Sequence, residues 1–216
     1  ELFTNYIENR KVSVASPIRT NSGTKKGSLI SCNLTHLISD SREGIQQTLN
    51  NIAAASSKGA GIGLLLDSLR SSKSIVGSFN DYAAGIVRFS DILQAIMRFY
   101  KQGNRSGSAA IYLSLWHKDI IPFLELRLPT GDVKLRTPDL FTGVVVNDNF
   151  VRALLEDGDY YLFCPNDILK AGLTPLQDLY GEKFEETYNK AVALGIGEKI
   201  KAKTIFNAII KSQMES

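Results

Sequence analysis

Two periods of apolar residues run through this chain. From 43 to 61 (EGIQQTLNNIAAASSKGAG), Ile45, Leu49, Ile52 and Ala53 fall at helical spacing. Asp40 and Ser41 precede this stretch and either could cap a helix; Gly59 and Gly61 stop it. The strongest stripe lies in 80–102, where Ile86, Phe89, Leu93, Ile96, Met97 and Tyr100 share one helical face. Between these stretches stand short, nearly continuous apolar runs. IGLLLDS (62–68) and AAIYLSLW (109–116) have the length and composition of buried strands. HKDIIPFLELR (117–127) reads as a helix, with Pro122 tolerated near its start. The alternation then repeats: a strand at 143–148, a short helix at 149–158 closed by glycine and a strand at 159–164. Helices follow at 176–195 and 201–213. Residues 1–30 show no period and read as irregular, with a basic, turn-rich RTNSGTKKGS at 19–28. Strand and helix alternating throughout predict an α/β fold. No internal repeat, low-complexity stretch or linker divides the 216 residues, so a single domain is expected over 1–216.

Composition narrows the partners. With 44% apolar and 22% charged residues, the chain can build an ordinary core, and a net charge of +3 is far from that of a dedicated DNA or RNA binder. No apolar run approaches the roughly 18 residues of a membrane span. The opening ELFTNYIENRK has no signal-peptide pattern, and two distant cysteines make no disulfide framework. A cytoplasmic setting is the expectation. The first residue is Glu rather than Met, which raises the expectation of a piece of something longer.

Few residues offer chemistry by type alone. The two histidines, His36 and His117, have no partner at metal-ligand spacing, and neither Cys32 nor Cys164 sits in a CxxC pair. No metal site is expected, and both histidines read as hydrogen-bonded structural residues. GxxxxGK[ST] and GxSxG are absent. KGAGIG (58–63) and KQGNRSGSAA (101–110) are loops in which backbone N–H groups could approach a phosphate, aided by Lys101 and Arg105. They read equally as glycine-rich turns. Cys32, in ISCNL, is either a small packed apolar residue or a reactive thiol, and its neighbours do not decide between the two.

The motifs in order say more. SCNL (31–34), KGAGIG (58–63), LRSSKSIVG (69–77), QGNRSG (102–107), AIYLSLWHKDIIPFLELR (110–127), DLF (139–141) and LFCPND (162–167) follow one another over nearly the whole chain. This series resembles the large, catalytic subunit of class I ribonucleotide reductases. The resemblance implies radical reduction of a nucleotide's ribose 2′-hydroxyl, in a ten-stranded α/β barrel of two five-stranded halves. The chain would supply little more than the first half. Cys32 would be the first of two reducing cysteines, and Cys164 would be structural. Ala15, Ser16, Ser31, Gly61 and Arg105 would contact substrate. Asp40, Ser41, Arg70, Ile75 and Gln102 would bind a deoxynucleotide effector, with Arg70 gripping its phosphates. Effector and substrate sites would be coupled through residues 101–108.

The same resemblance implies what must come from elsewhere. The finger-loop half of the barrel, with its NxCxE motif and the second reducing cysteine, is not among these residues, and neither is an ATP cone. No cofactor would bind this chain; a separate, metal-containing small subunit would supply the radical, and thioredoxin or glutaredoxin the electrons. The expected partners are the remainder of the large subunit, that small subunit, nucleotide substrates, dNTP and ATP effectors, and a second copy in a homodimer, with no nucleic acid and no membrane. A half barrel would expose strand edges and an apolar face. Two other readings stay open: an orphan deoxynucleotide-binding regulatory or assembly module without catalysis, and an unrelated nucleotide-binding α/β domain.

Overall fold

A computed structural model describes residues 2–25, 28–77, 81–100 and 107–216. Its centre is a four-stranded parallel sheet in the order β1 (Cys32–His36), β2 (Gly61–Leu65), β5 (Ala109–Ser114), β6 (Leu140–Val145). Each strand returns to the next through a helical crossover, as parallel pairing requires. β1 leads through α3 (Arg42–Ser57) to β2. β2 leads through the two-residue strands β3 (Ile75–Val76) and β4 (Asp81–Tyr82) and through α4 (Gly85–Phe99) to β5. β5 leads through α5 (Ile120–Leu124) to β6. The register pairs Cys32 with Gly61, Ile62 with Ala109, and Ala109 with Leu140.

Register decides which residues share a face. Ile62, Leu64, Ile111, Leu113 and Leu140 point to the helical side and are buried in one core with Ile52 of α3, Phe89 and Leu93 of α4 and Phe123 of α5. Burying each such side chain is worth about 1.5–3 kcal/mol. The opposite face is open. Leu34 is 84% exposed, Phe141 55% and Val145 43%, and β1 and β6 are the sheet's edges among the described residues. An apolar face left bare in this way is what a partial barrel presents.

After β6 the chain forms α6 (Asp148–Leu155), β7 (Asp159–Leu162), α7 (Pro165–Lys170), α8 (Gly181–Ala193), β8 (Glu198–Lys201) and α9 (Ala202–Glu215). β7 and β8 pair antiparallel, apart from the main sheet. Among the described residues no helix is long and apolar enough to cross a membrane.

Several expectations need correction. Residues 1–30 contain two short helices, α1 (Leu2–Glu8) and α2 (Ser16–Asn21); α2 buries none of its residues, so no apolar period marks it. The α4 helix begins at Gly85 rather than near 80, because Asp81 and Tyr82 are drawn into pairing with Val76 and Ile75. β6 begins at Leu140, three residues early, where the ladder to Ala109 starts. On α3 the buried stripe is Gly44, Thr48, Ile52 and Ser56, with Ile45 and Leu49 only partly covered. That seam is tight: a Cβ on Gly44 would lie 2.6 Å from the carbonyl oxygen of Ser39.

Candidate functional site

Two cavities hold most of the substrate and effector residues expected above. The first, about 360 Å³, opens at the start of β1 and β2. Ser31 and Cys32 form its floor together with Gly61, and Ala15 and Ser16 at the head of α2 form one wall. Cys32 is an exposed free thiol. The register sets it beside Gly61, where even an added Cβ would stay 4.0 Å from its Sγ. The Gly61 N–H is not available to a ligand, because it donates to the Ser31 carbonyl at 2.7 Å. Gly61 therefore contributes open space over the strand. Ser56, Gly107 and Ser108 complete the cavity. The Ser56 hydroxyl donates to the Tyr100 carbonyl at 3.1 Å, so the end of α3 is tied to the end of α4 beside the cavity. Every residue lining it is small or hydroxylated apart from the cysteine.

The second cavity, about 430 Å³, lies between the start of α3, the segment after β2 and the start of α4. Its walls are mostly apolar (Ile45, Leu69, Val76, Phe89 and Ile92 among them), and its polar end is Asp40, Ser41 and Arg70. Arg70 Nε donates to Asp40 Oδ2 at 2.5 Å, Nη2 to the Asp40 carbonyl at 3.3 Å, and Nη1 to the Ile75 carbonyl at 3.4 Å. The Ser41 hydroxyl accepts from the Gly44 N–H at 3.0 Å, which makes Ser41 the helix cap. Arg42 and Arg88 add positive charge at the rim. Nothing in the sequence pattern flagged Arg88; it stands one turn into α4, on the face away from the core stripe.

The remaining predicted residues separate. Arg105 and Gln102 lie outside the described residues. His117 is fully buried: its Nε2–H donates to the Leu69 carbonyl at 2.8 Å, and its Nδ1 accepts the Asp119 N–H at 3.0 Å. Burial holds its pKa below the ordinary 6.5 and keeps it neutral. The structural reading of His117 is met; His36 instead sits exposed on the edge strand β1. Asp67, also buried, accepts from the Ser114 N–H at 2.7 Å and from its hydroxyl at 2.5 Å. Burial outweighs those bonds and pushes the Asp67 pKa up. Cys164 is buried at the head of α7, its thiol 3.7 Å from the Ser74 hydroxyl, and takes no part in the first cavity.

The ribonucleotide reductase barrel-domain family model matches residues 30–216, most of the chain; this takes in the second cavity and all of the first except its wall at Ala15, Ser16 and Pro17. The chain belongs to the ribonucleotide reductase large-subunit family. Among curated relatives, it is 34% identical to the ribonucleoside-diphosphate reductase large subunit of vaccinia virus over 98% of its own length and 27% of that protein's. It is 36% identical to the large chain of Neurospora crassa over 94% of its length and 22% of that chain. With large chain 2 of Saccharomyces cerevisiae the figures are 33%, 98% and 24%. The chain thus spans about a quarter of the length of these reductase subunits. The four-stranded parallel sheet with one open face, bordered by β1 and β6, is consistent with part of such a barrel.

Proposed function

We propose that this chain is part of a ribonucleoside-diphosphate reductase large subunit and carries the first reducing cysteine, part of the substrate pocket and a deoxynucleotide effector site. The observation that carries this reading is convergence. Ser16, the adjacent Ser31 and Cys32, Gly61 and Ser108 come from four separate places in the sequence and line one cavity with an exposed thiol as its only reactive group. A purely structural cysteine would be packed, as Cys164 is.

The chemistry balances with two thiols. Replacing the 2′-hydroxyl of a ribonucleotide by hydrogen takes two electrons, releases water and joins two thiols as a disulfide. Cys32 supplies one thiol. Cys164 is buried away from the cavity and does not supply the other, so the second thiol and the radical that starts the reaction come from the remainder of the subunit and its radical-generating partner. Hydroxyls of Ser16, Ser31 and Ser108 would hold the substrate's sugar and phosphates, and the bare backbone over Gly61 would admit the ribose beside Sγ.

In the second cavity, a deoxynucleoside triphosphate would seat its base and sugar on the apolar wall. Its phosphates would draw the Arg70 guanidinium from Asp40, a forked donor suited to that exchange.

The test is reduction of a ribonucleoside diphosphate by the intact protein with its radical-generating subunit and a dithiol. Cys32→Ser is expected to drop turnover to background while dTTP binding stays within twofold of the wild type. Turnover surviving the change would overturn the assignment of Cys32. Binding of dTTP without reduction in any reconstituted mixture would instead support a regulatory module.

A further inference from the structure

Asp119 lines neither cavity, yet it ties together two walls of the second one. Its carboxylate accepts the Ser72 N–H at 2.9 and 3.1 Å, the Ser72 hydroxyl at 2.8 Å and the Ile86 N–H at 3.1 Å. Ser72 belongs to the segment that presents Leu69, Arg70 and Val76 to the cavity; Ile86 is in the first turn of α4, which presents Gly85 and Phe89. The α4 helix has no side-chain cap of its own, since its N-cap residue is Ala84. Asp119 caps it from 33 residues away.

The arrangement needs a carboxylate at that point. Asp119 is only 3% exposed, and a buried charge of this kind is tolerated when several donors converge on it. Three donors from two segments call for a group that accepts at both oxygens. Gly85 makes room: a Cβ there would lie 2.5 Å from Asp119 Oδ2 and 2.7 Å from the Ser72 nitrogen. His117 completes the clamp by bonding the Asp119 N–H on one side and the Leu69 carbonyl on the other. The turn that carries both residues follows β5 directly, and the residues just before β5, Gly107 and Ser108, line the thiol cavity. One strand therefore starts beside the first cavity and leads into the clamp on the second.

We infer that Asp119, with His117 behind it, is a positioning residue that holds the Leu69–Val76 wall and the head of α4 at the spacing in which the second cavity accepts its nucleotide. This rests on reading that cavity as the effector site. Without the clamp the wall would loosen and the nucleotide would have to order it on binding, at a cost in affinity.

The experiment uses the intact protein with its radical-generating subunit, dTTP as the probe, and the variants Asp119→Asn and Ser72→Ala. The Ser72 change removes only a hydroxyl from an exposed residue and is expected to leave the fold standing. Two quantities are read: backbone hydrogen exchange at Ser72 and Ile86, and the dTTP concentration that half-saturates binding. Loss of one bond to a charged acceptor corresponds to about a tenfold effect. Asp119→Asn is expected to speed exchange at both amides and raise half-saturation about tenfold. Ser72→Ala should do less of both, and effector-free turnover should hold near wild type in both variants. General destabilisation would lower that basal turnover as well. Faster exchange with unchanged dTTP affinity would overturn the positioning role and leave the effector reading intact. Unchanged dTTP affinity in Arg70→Ala would overturn the effector reading, and this inference with it.

Discussion

The two cavities are built by opposite means. The thiol cavity is made of small residues, Ser16, Ser31, Gly61 and Ser108 among them, and its reactive atom stands at the edge of the sheet with an open face beside it. The arginine cavity is deeper in apolar lining and fixed from behind: the Arg70–Asp40 pair closes its polar end, and the Asp119 clamp fixes two of its walls. The first has an uncovered sheet face beside it; the second is walled on several sides by described residues. This is the division expected if catalysis needs the rest of a barrel while nucleotide sensing is carried by local structure.

Glycine substitutions test that contrast most sharply. Gly85 has φ +71°, and a Cβ there would press on Asp119 and Ser72. Gly85→Ala is expected to cost about 3 kcal/mol in urea unfolding, combining the left-handed backbone with overpacking. Gly61→Ala should behave differently. The nearest atoms to its Cβ, the Ser31 carbonyl oxygen at 3.4 Å and Cys32 Sγ at 4.0 Å, are at ordinary contact distance. Stability should change by less than about 0.5 kcal/mol, whereas the KM for a ribonucleoside diphosphate should rise severalfold. Equal stability losses in the two variants would erase the distinction between an open cavity and a clamped one.

A smaller effect comes from pH. His117 is held neutral, with its pKa below the ordinary 6.5. Its contribution to stability is therefore present above about pH 6.5 and is lost as pH falls through the depressed value. His117→Gln keeps a donor for the Leu69 carbonyl but does not titrate. The stability gap between wild type and variant, measured by urea unfolding at several values from pH 8 to 5, should narrow toward acid. A gap that stays constant would show that His117 is not buried neutral behind the arginine cavity.

The sequence made some of this legible and hid the rest for physical reasons. The α4 stripe was readable because Ile86, Phe89, Leu93 and Met97 are large and all face the core; β2 and β5 were readable as apolar runs buried between neighbouring strands. The cap at Ser41 was one of two candidates, and its hydroxyl settles it. β1 was not foreseen as a strand. CNLTH has mixed polarity because it is an edge strand with an uncovered face, and its partner β2 holds it in place. β8, EKIK, hides behind its charges; Lys199 and Lys201 reach Asp159 of β7 at 2.7 and 3.1 Å. The α3 seam escaped because close helix packing selects Gly44, Thr48 and Ser56, which carry little hydrophobic signal. The candidate site residues came from motif order. Periodicity points to buried apolar faces and could not have found exposed Ser16 and Cys32. The clamp was half visible: WHKD stood out as a motif, but its hydrogen bonds cross about fifty positions and leave no local pattern.

The most direct measurement is the rate at which iodoacetamide labels Cys32 in the intact protein, followed by mass spectrometry. It is read alone, with CDP and with dTTP, and buried Cys164 serves as the internal unreactive control. The account predicts ready labelling of Cys32, at least tenfold protection by CDP, and little protection by dTTP, whose cavity does not include the thiol. Protection by dTTP equal to that by CDP, or by neither, would contradict the assignment of the thiol cavity to substrate and the arginine cavity to effector.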